Sequence, residues 1–476
     1  MAISSYATPG VYIEELSTLP PSISDIGTAI PAFIGYTANH KATGVMEIQE
    51  VSSLRDYEAR FGQAPATEWK VRYTSVNDEA IFTLHDAGAT GKSKPVERFS
   101  QPKCLLWYAI DHYFRNGGSR CYVVSVGNTS ENPKKDSFVN GLKTLESYDE
   151  PTLIIIPEAI RLPGSDYGEV CQAALNHAAK MQDRFVILDV FDGDANNSVI
   201  STRLAELRGL LGNNNLDRGA AYFPFLNTSL SHLTTDDTIK VEGLPTPTAG
   251  SSGGATTKEV SLKALEDSHT SYYNQIRQLL SEQRVVLPPS AAIAGVYASI
   301  DRDRGVWKAP ANAGLQSVVS PVIYLTDEQQ AAFNVDPTTG KSLNAIRSFS
   351  GKGTIVWGAR TLAGNDNQWR YISVRRLFIS VEESIKKATS FAVFEANDAS
   401  TWLKVKGMID SYLYSLWSRG ALQGSKAEDA YFVNVGLGKT MTSDDVLSGR
   451  LIVEIGLAVV RPAEFIILRF AHKVAQ

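Results

Sequence analysis

Cysteine is scarce: Cys104, Cys121 and Cys171 are the three in a chain of 476 residues. An odd number at wide spacing gives no disulfide framework, so they read as reduced thiols of a cytosolic protein. Long apolar runs are also missing. None reaches the roughly 18 residues of a membrane span, so no stable membrane insertion is expected. The opening Met1-Ala2-Ile3-Ser4-Ser5-Tyr6 has no basic stretch leading into an apolar one, so no signal peptide is expected. A positive excess is absent too. Lys and Arg number 46 against 51 Asp and Glu, a net charge of −5, which disfavours general nucleic-acid binding. Histidine is rare. His40, His85, His112, His177, His232, His269 and His472 form no HExxH and no other metal-ligand spacing, so neither metal nor cofactor is expected.

What is present is ordinary globular material: 43% hydrophobic and 20% charged residues. At roughly 150 residues per domain the length suggests about three domains. Charge is uneven. From Gly351 onward 16 Lys and Arg face 12 Asp and Glu, so that stretch carries +4 and the remainder −9. This suggests an acidic partner for one end of the chain.

The pattern along the chain predicts an α/β fold. Ala7-Thr8-Pro9-Gly10 is a turn signal, and Val11–Leu16 is a short strand candidate cut off by Pro20-Pro21. Such a strand needs a distant partner or another chain. Residues 29–36 read as a buried strand and Ser53–Phe61 as a helix capped by Gly62. Leu105–Phe114 and Tyr167–Met181 read as helices. Cys121–Val126, Leu153–Ile156 and Phe185–Val190 read as strands apolar on both faces, the mark of a sheet covered on both sides. Tyr222–Leu226 is a further short apolar piece. Residues 65–100 read as an irregular insertion and 228–262 as a long surface loop. In the last third, Leu377, Val381, Ile385 and Ala388 share one helical face. Trp402, Val405, Met408, Ile409, Tyr412, Leu413, Leu416 and Trp417 share another, ended by Gly420. Tyr431–Val435, Leu451–Val460 and Phe465–Phe470 read as strands. The last is apolar on both faces, so it pairs either inside its own domain or with a neighbouring subunit.

Motifs that carry chemistry are few. Gly436-Leu437-Gly438-Lys439-Thr440 resembles the end of a phosphate loop, but Val433 stands where the motif needs glycine, and a hairpin turn is the better reading. Asp301-Arg302-Asp303-Arg304-Gly305 fails as a calcium loop at its third and closing ligand positions. Asp189, Asp192 and Asp194 follow an apolar strand, where α/β enzymes place metals, and they carry the alternative reading of a metal-dependent α/β hydrolase.

Several stretches, in order along the whole chain, resemble the contractile tail sheath family of phages and injection systems. They are Thr8–Glu15, Asn116-Gly117-Gly118, Pro288–Tyr297, Arg304–Asn312, Trp357-Gly358-Ala359-Arg360-Thr361-Leu362, Trp369-Arg370-Tyr371-Ile372, Val374-Arg375-Arg376 and Arg461–Ile466. They are dense from Pro288 onward. Ala291 departs from a common glycine, and 65–100 and 228–262 carry no matching motif.

The resemblance implies a structural protein, not an enzyme, without cofactor. It implies an N-terminal arm (1–24), an outer or middle α/β region (25–344), and an inner, tube-facing domain (345–476) ending in a β arm. Val11, Tyr12, Ile13, Phe465, Ile466, Ile467, Leu468 and Phe470 would exchange strands between subunits. Arg375, Arg376, Lys386, Lys387, Lys404 and Lys406 would face an acidic tube. The implied partners are copies of itself in stacked hexameric rings, an inner tube protein, and baseplate and terminator proteins. Assembly is expected in the bacterial cytoplasm, as part of a phage tail or a tail-like particle released from the cell.

Overall fold

The computed structural model describes residues 23–40, 46–76, 79–87, 95–193, 200–244, 259–465 and 467. The chain divides into two compact units. One joins Gly27–Ser380 with the stretch from Arg461; the other joins Val381–Val460 with the described part of Met1–Ile26.

The larger unit is built on a nine-stranded sheet. In spatial order its strands are Ala313–Gly314, Gly353–Val356, Asn344–Phe349, Gly219–Phe223, Phe185–Asp189, Leu153–Ile155, Pro31–Thr37, Cys121–Asn128 and Glu47–Val51. The six from Asn344–Phe349 to Cys121–Asn128 run parallel, and antiparallel strands close both edges. Alternate residues of the central strands enter two cores. Ala32, Ile34, Val124, Ile154 and Val186 pack with Phe138, Val170 and Ala174 of helices Lys135–Thr144 and Gly164–Met181. Phe33, Val123, Ile155 and Ile187 pack with Ile110 and Tyr297 of helices Leu106–Arg115 and Ser290–Arg304. Burial on both faces is why these strands read as continuous apolar runs. Local signals hold where expected. Ser53 caps helix Leu54–Phe61 through the Asp56 N–H, and Gly62 ends it at φ 78°, a conformation open to glycine.

Two regions differ from the expectation. Within 65–100 the described residues are not all irregular: Trp69–Val76 and Glu79–Asp86 form a hairpin. Nor is 228–262 one long loop, because Leu226–Ser231, Lys240–Glu242 and Val260–Ser261 are strands. The hairpin joins the latter two in a four-stranded sheet, whose buried face holds Trp69, Val71, Leu84 and Val241 and packs with Ile276 of helix Thr270–Ser281. The alternation of Trp69 and Val71 with Lys70 and Arg72 is the period-two mark of a strand buried on one face. The numerous charged residues concealed it. Leu226–Ser231 enters a second four-stranded sheet with Val318–Pro321, Arg284–Leu287 and Phe99–Ser100.

The boundary expected at 344/345 lies later. Asn344–Phe349 and Gly353–Val356 are strands of the large sheet, so the division falls at Ser380/Val381, inside helix Ile372–Ala388. In the smaller unit, helix Ala399–Ser418 starts at Asp398, which accepts from the Thr401 N–H. It buries Val405, Met408, Ile409, Leu413 and Leu416 as its spacing predicts, and lies against strand Tyr431–Val435. Asp25 joins this unit through an ion pair with Arg419 at 2.8 Å.

Candidate functional site

The residues of the enzyme reading are engaged in the fold. Asp189 is buried at the end of its strand, where its carboxylate accepts from the Ser290 N–H at 2.8 Å and the Ser290 hydroxyl at 2.6 Å. It therefore seats the start of helix Ser290–Arg304. Burial pushes its carboxyl up to about 7. Asp192 pairs with Arg203 at 2.8 Å, and Asp194 lies outside the described residues. Among the described residues no group of three or more His, Cys, Asp or Glu is placed to hold a metal. Gly436–Met441 is a turn between paired strands, with the Gly438 N–H bonded to the Met441 carbonyl at 2.9 Å. Asp301 of the failed calcium loop is the ion-pair partner of Arg376 inside the protein.

Two of the basic residues expected to face a tube do not. Arg376 is buried and clamps Asp301 through both nitrogens, at 3.0 and 2.5 Å, while donating to the Thr28 carbonyl at 3.0 Å. Its guanidinium lies over the Tyr297 ring, 4.6 Å from the centroid. Arg375, also buried, pairs with Asp217 at 3.4 Å and stacks on Trp369 at 4.5 Å. Both arginines are cores of polar networks within the larger unit and cannot reach a partner surface. Consecutive arginines on a helix suggest a solvated basic face; burial reverses that reading because each guanidinium finds a carboxylate and an aromatic face. Lys386 and Lys387 are exposed and fork onto Glu383 at 3.1 and 3.5 Å. Lys404 is exposed and Lys406 partly so, both on helix Ala399–Ser418.

The strand candidates for exchange fall mostly beyond view. Val11, Tyr12, Ile13, Ile466, Leu468 and Phe470 lie outside the described residues. Phe465 and Ile467 are 71% and 78% exposed.

The smaller unit carries the open sheet. Tyr431–Val435 pairs antiparallel with Val453–Leu457, and together they make a two-stranded ribbon. Among the described residues each strand pairs on one side only. Seventeen residues of turn and short helix separate the two strands, so the sequence placed both but not their pairing. A two-stranded sheet is marginal by itself and offers unpaired N–H and C=O groups along both edges. Phe432, Leu437 and Ile452 on and beside the ribbon are exposed, as are Val393, Phe394, Leu403 and Leu447 elsewhere in this unit.

A second feature lies in the larger unit. Arg360 forks onto Glu464, with Nε donating to Oε1 at 2.9 Å and Nη2 to Oε2 at 2.5 Å. The Arg360 backbone is itself gripped by Asn344, whose Oδ1 accepts from the Arg360 N–H and whose Nδ2 donates to the Arg360 carbonyl, both at 2.8 Å. Thus Trp357–Leu362 and Arg461–Ile466, two of the stretches noted in the sequence, meet through an ion pair. Nothing in their spacing disclosed it.

The whole chain superposes on solved sheath chains. One is the helical sheath of the anti-feeding prophage in its contracted state, at 32% identity over 99% of this chain and 100% of that chain, with a TM-score of 0.62. Another is the sheath complex of the extracellular contractile injection system PVC in its contracted state, at 31% identity over 100% and 99% of the two chains, with a TM-score of 0.62.

The chain belongs to the contractile tail sheath family. The family model of the phage tail sheath C-terminal domain matches residues 364–473, which take in the open ribbon and Glu464. Curated tail sheath relatives are more distant. That of Vibrio phage KVP40 is 22% identical over 330 residues, 66% of this chain and 44% of the relative. That of Enterobacteria phage T4 is 26% identical over 30% of this chain and 20% of the relative. This sheath-family chain therefore spans less than half the length of these curated relatives, while it spans the full length of the solved sheath chains. Its relatives and structural neighbours are structural sheath proteins, and nothing among them supports the hydrolase reading of Asp189, Asp192 and Asp194.

Proposed function

We propose that the protein is the sheath subunit of a contractile phage tail or tail-like injection particle. Subunits stack as hexameric rings around an inner tube, and the lattice shortens and widens to drive the tube through a target membrane. The observation that carries this reading is the two-stranded ribbon, each of whose strands pairs on one side only among the described residues. Strands donated by neighbouring subunits, from Val11–Leu16 and Phe465–Phe470, complete it by backbone pairing. The ladders hold the lattice while subunits turn about their arms. Contraction releases free energy stored at assembly, so the chain needs no nucleotide site. The smaller unit faces the tube through Lys386, Lys387, Lys404 and Lys406. Tube, baseplate and terminator proteins are the other partners. Assembly takes place in the bacterial cytoplasm, and the particle acts outside the cell.

Negative-stain electron microscopy of the purified protein tests this. Wide hollow tubes with a helical surface lattice are expected. Truncation after Pro462 is expected to leave folded protomers that form no tubes, as followed by size-exclusion chromatography. Intact polymers from the truncated chain would refute strand exchange.

A further inference from the structure

Between Val460 and the last described residues the chain passes from one compact unit to the other. Residues 461–465 belong to no strand, and Arg461, Ala463 and Phe465 are exposed. Pro462 is partly covered. Glu464 is exposed as a residue as well, but its side chain folds back onto Arg360 and is 21% exposed, against 8% for the Arg360 side chain. The receiving end is rigid. Arg360 is held at its backbone by both atoms of the Asn344 amide, and Asn344 lies in a strand of the nine-stranded sheet. The Tyr371 hydroxyl also lies 3.4 Å from Glu464 Oε2. Beyond this point Phe465 and Ile467 turn outward.

We propose that the Arg360–Glu464 pair is the anchor of the C-terminal arm. It pins the base of the arm to the large sheet, so that the chain leaves Glu464 in a fixed direction, towards a second copy of the chain. A bidentate guanidinium–carboxylate pair suits this task because it fixes orientation as well as distance. Arg360 and Glu464 are positioning residues: neither need touch the partner strand, yet the pull of a partner on the arm reaches the large unit through them. This rests on the sheath reading only for the identity of the partner.

The test separates the two. Ile467→Cys, labelled with a maleimide dye, reports arm motion by fluorescence anisotropy in the unassembled full-length chain, where Cys104, Cys121 and Cys171 are buried. Adding Glu464→Gln is expected to release the arm roughly tenfold or more in its bound-to-free ratio, as loss of a charged hydrogen bond implies, and to lower the anisotropy. The fold, read by circular dichroism, should stay unchanged, and thermal unfolding should remain cooperative with a lowered midpoint, since Arg360 loses its charged partner. Arg360→Lys, with Glu464 kept, should retain the anchor only in part, since lysine has no fork. In assembly, Glu464→Gln is expected to give fewer and irregular tubes. Equal anisotropy in the labelled parent and Glu464→Gln would overturn the anchor even if both form tubes. Failure of the unmutated chain to form tubes, with anisotropy still dependent on Glu464, would overturn the sheath reading and leave the anchor standing.

Discussion

Replacing Arg376 with alanine should unfold the protein more easily rather than loosen it from a tube. The Arg376 and Asp301 side chains are 3% and 6% exposed, and their pair spans 2.5 Å. Removing the guanidinium leaves the Asp301 carboxylate buried with the Thr28 hydroxyl, 2.5 Å away, as its remaining hydrogen-bond donor near this network. Stranding one partner of a buried pair costs about 3–5 kcal/mol. A loss of that size lowers the folding equilibrium constant by roughly two to four powers of ten. Urea unfolding followed by tryptophan fluorescence measures it. The double variant Arg376→Leu/Asp301→Leu removes both charges and should recover most of the loss, because a matched apolar pair avoids the desolvation penalty. Lys404→Glu, on an exposed helix position, should change stability by no more than about 0.5 kcal/mol while weakening co-sedimentation with tube protein. If Arg376→Ala kept parental stability and lost tube binding, the burial argument would be refuted and the surface reading of the arginine pair restored.

Two further outcomes follow from buried titratable groups. Asp189 has its carboxyl raised by burial to about 7, so its contribution to stability is fully present below about pH 4 and is lost as pH rises through 7. The stability of the parent minus that of Asp189→Asn should therefore fall between those limits, by on the order of 4 kcal/mol. Taking the difference cancels His112, His177 and His232, which burial lowers to about 4 and which act in the opposite sense. A difference flat with pH would show that Asp189 is not ionised against a penalty. The thiols of Cys104 and Cys171 are pushed up to about 12 by burial, and Cys121 rises for the same reason. A thiol reagent at pH 8 should thus find no reactive cysteine in the native protein and all three in denaturant; rapid native labelling would contradict their burial.

The sequence by itself determined the elements whose signal is local. A strand buried on both faces must be apolar at consecutive positions, so the central sheet was legible at Phe33, Val123, Ile155 and Ile187. Helix Ala399–Ser418 was legible because one face had to be apolar at a 3.6 spacing. The scarcity of cysteine, histidine and nucleotide-loop glycines, with the ordered motifs from Thr8 to Ile466, pointed to an assembling protein. Tertiary structure decided everything that depends on which distant residues meet. Only the fold could bury Arg375 and Arg376, because their carboxylates, Asp217 and Asp301, arrive from separate parts of the chain. Only the fold could join Arg360 to Glu464, or pair Tyr431–Val435 with Val453–Leu457. Charge and hydropathy are written residue by residue, whereas burial and pairing belong to contacts that the linear order does not encode.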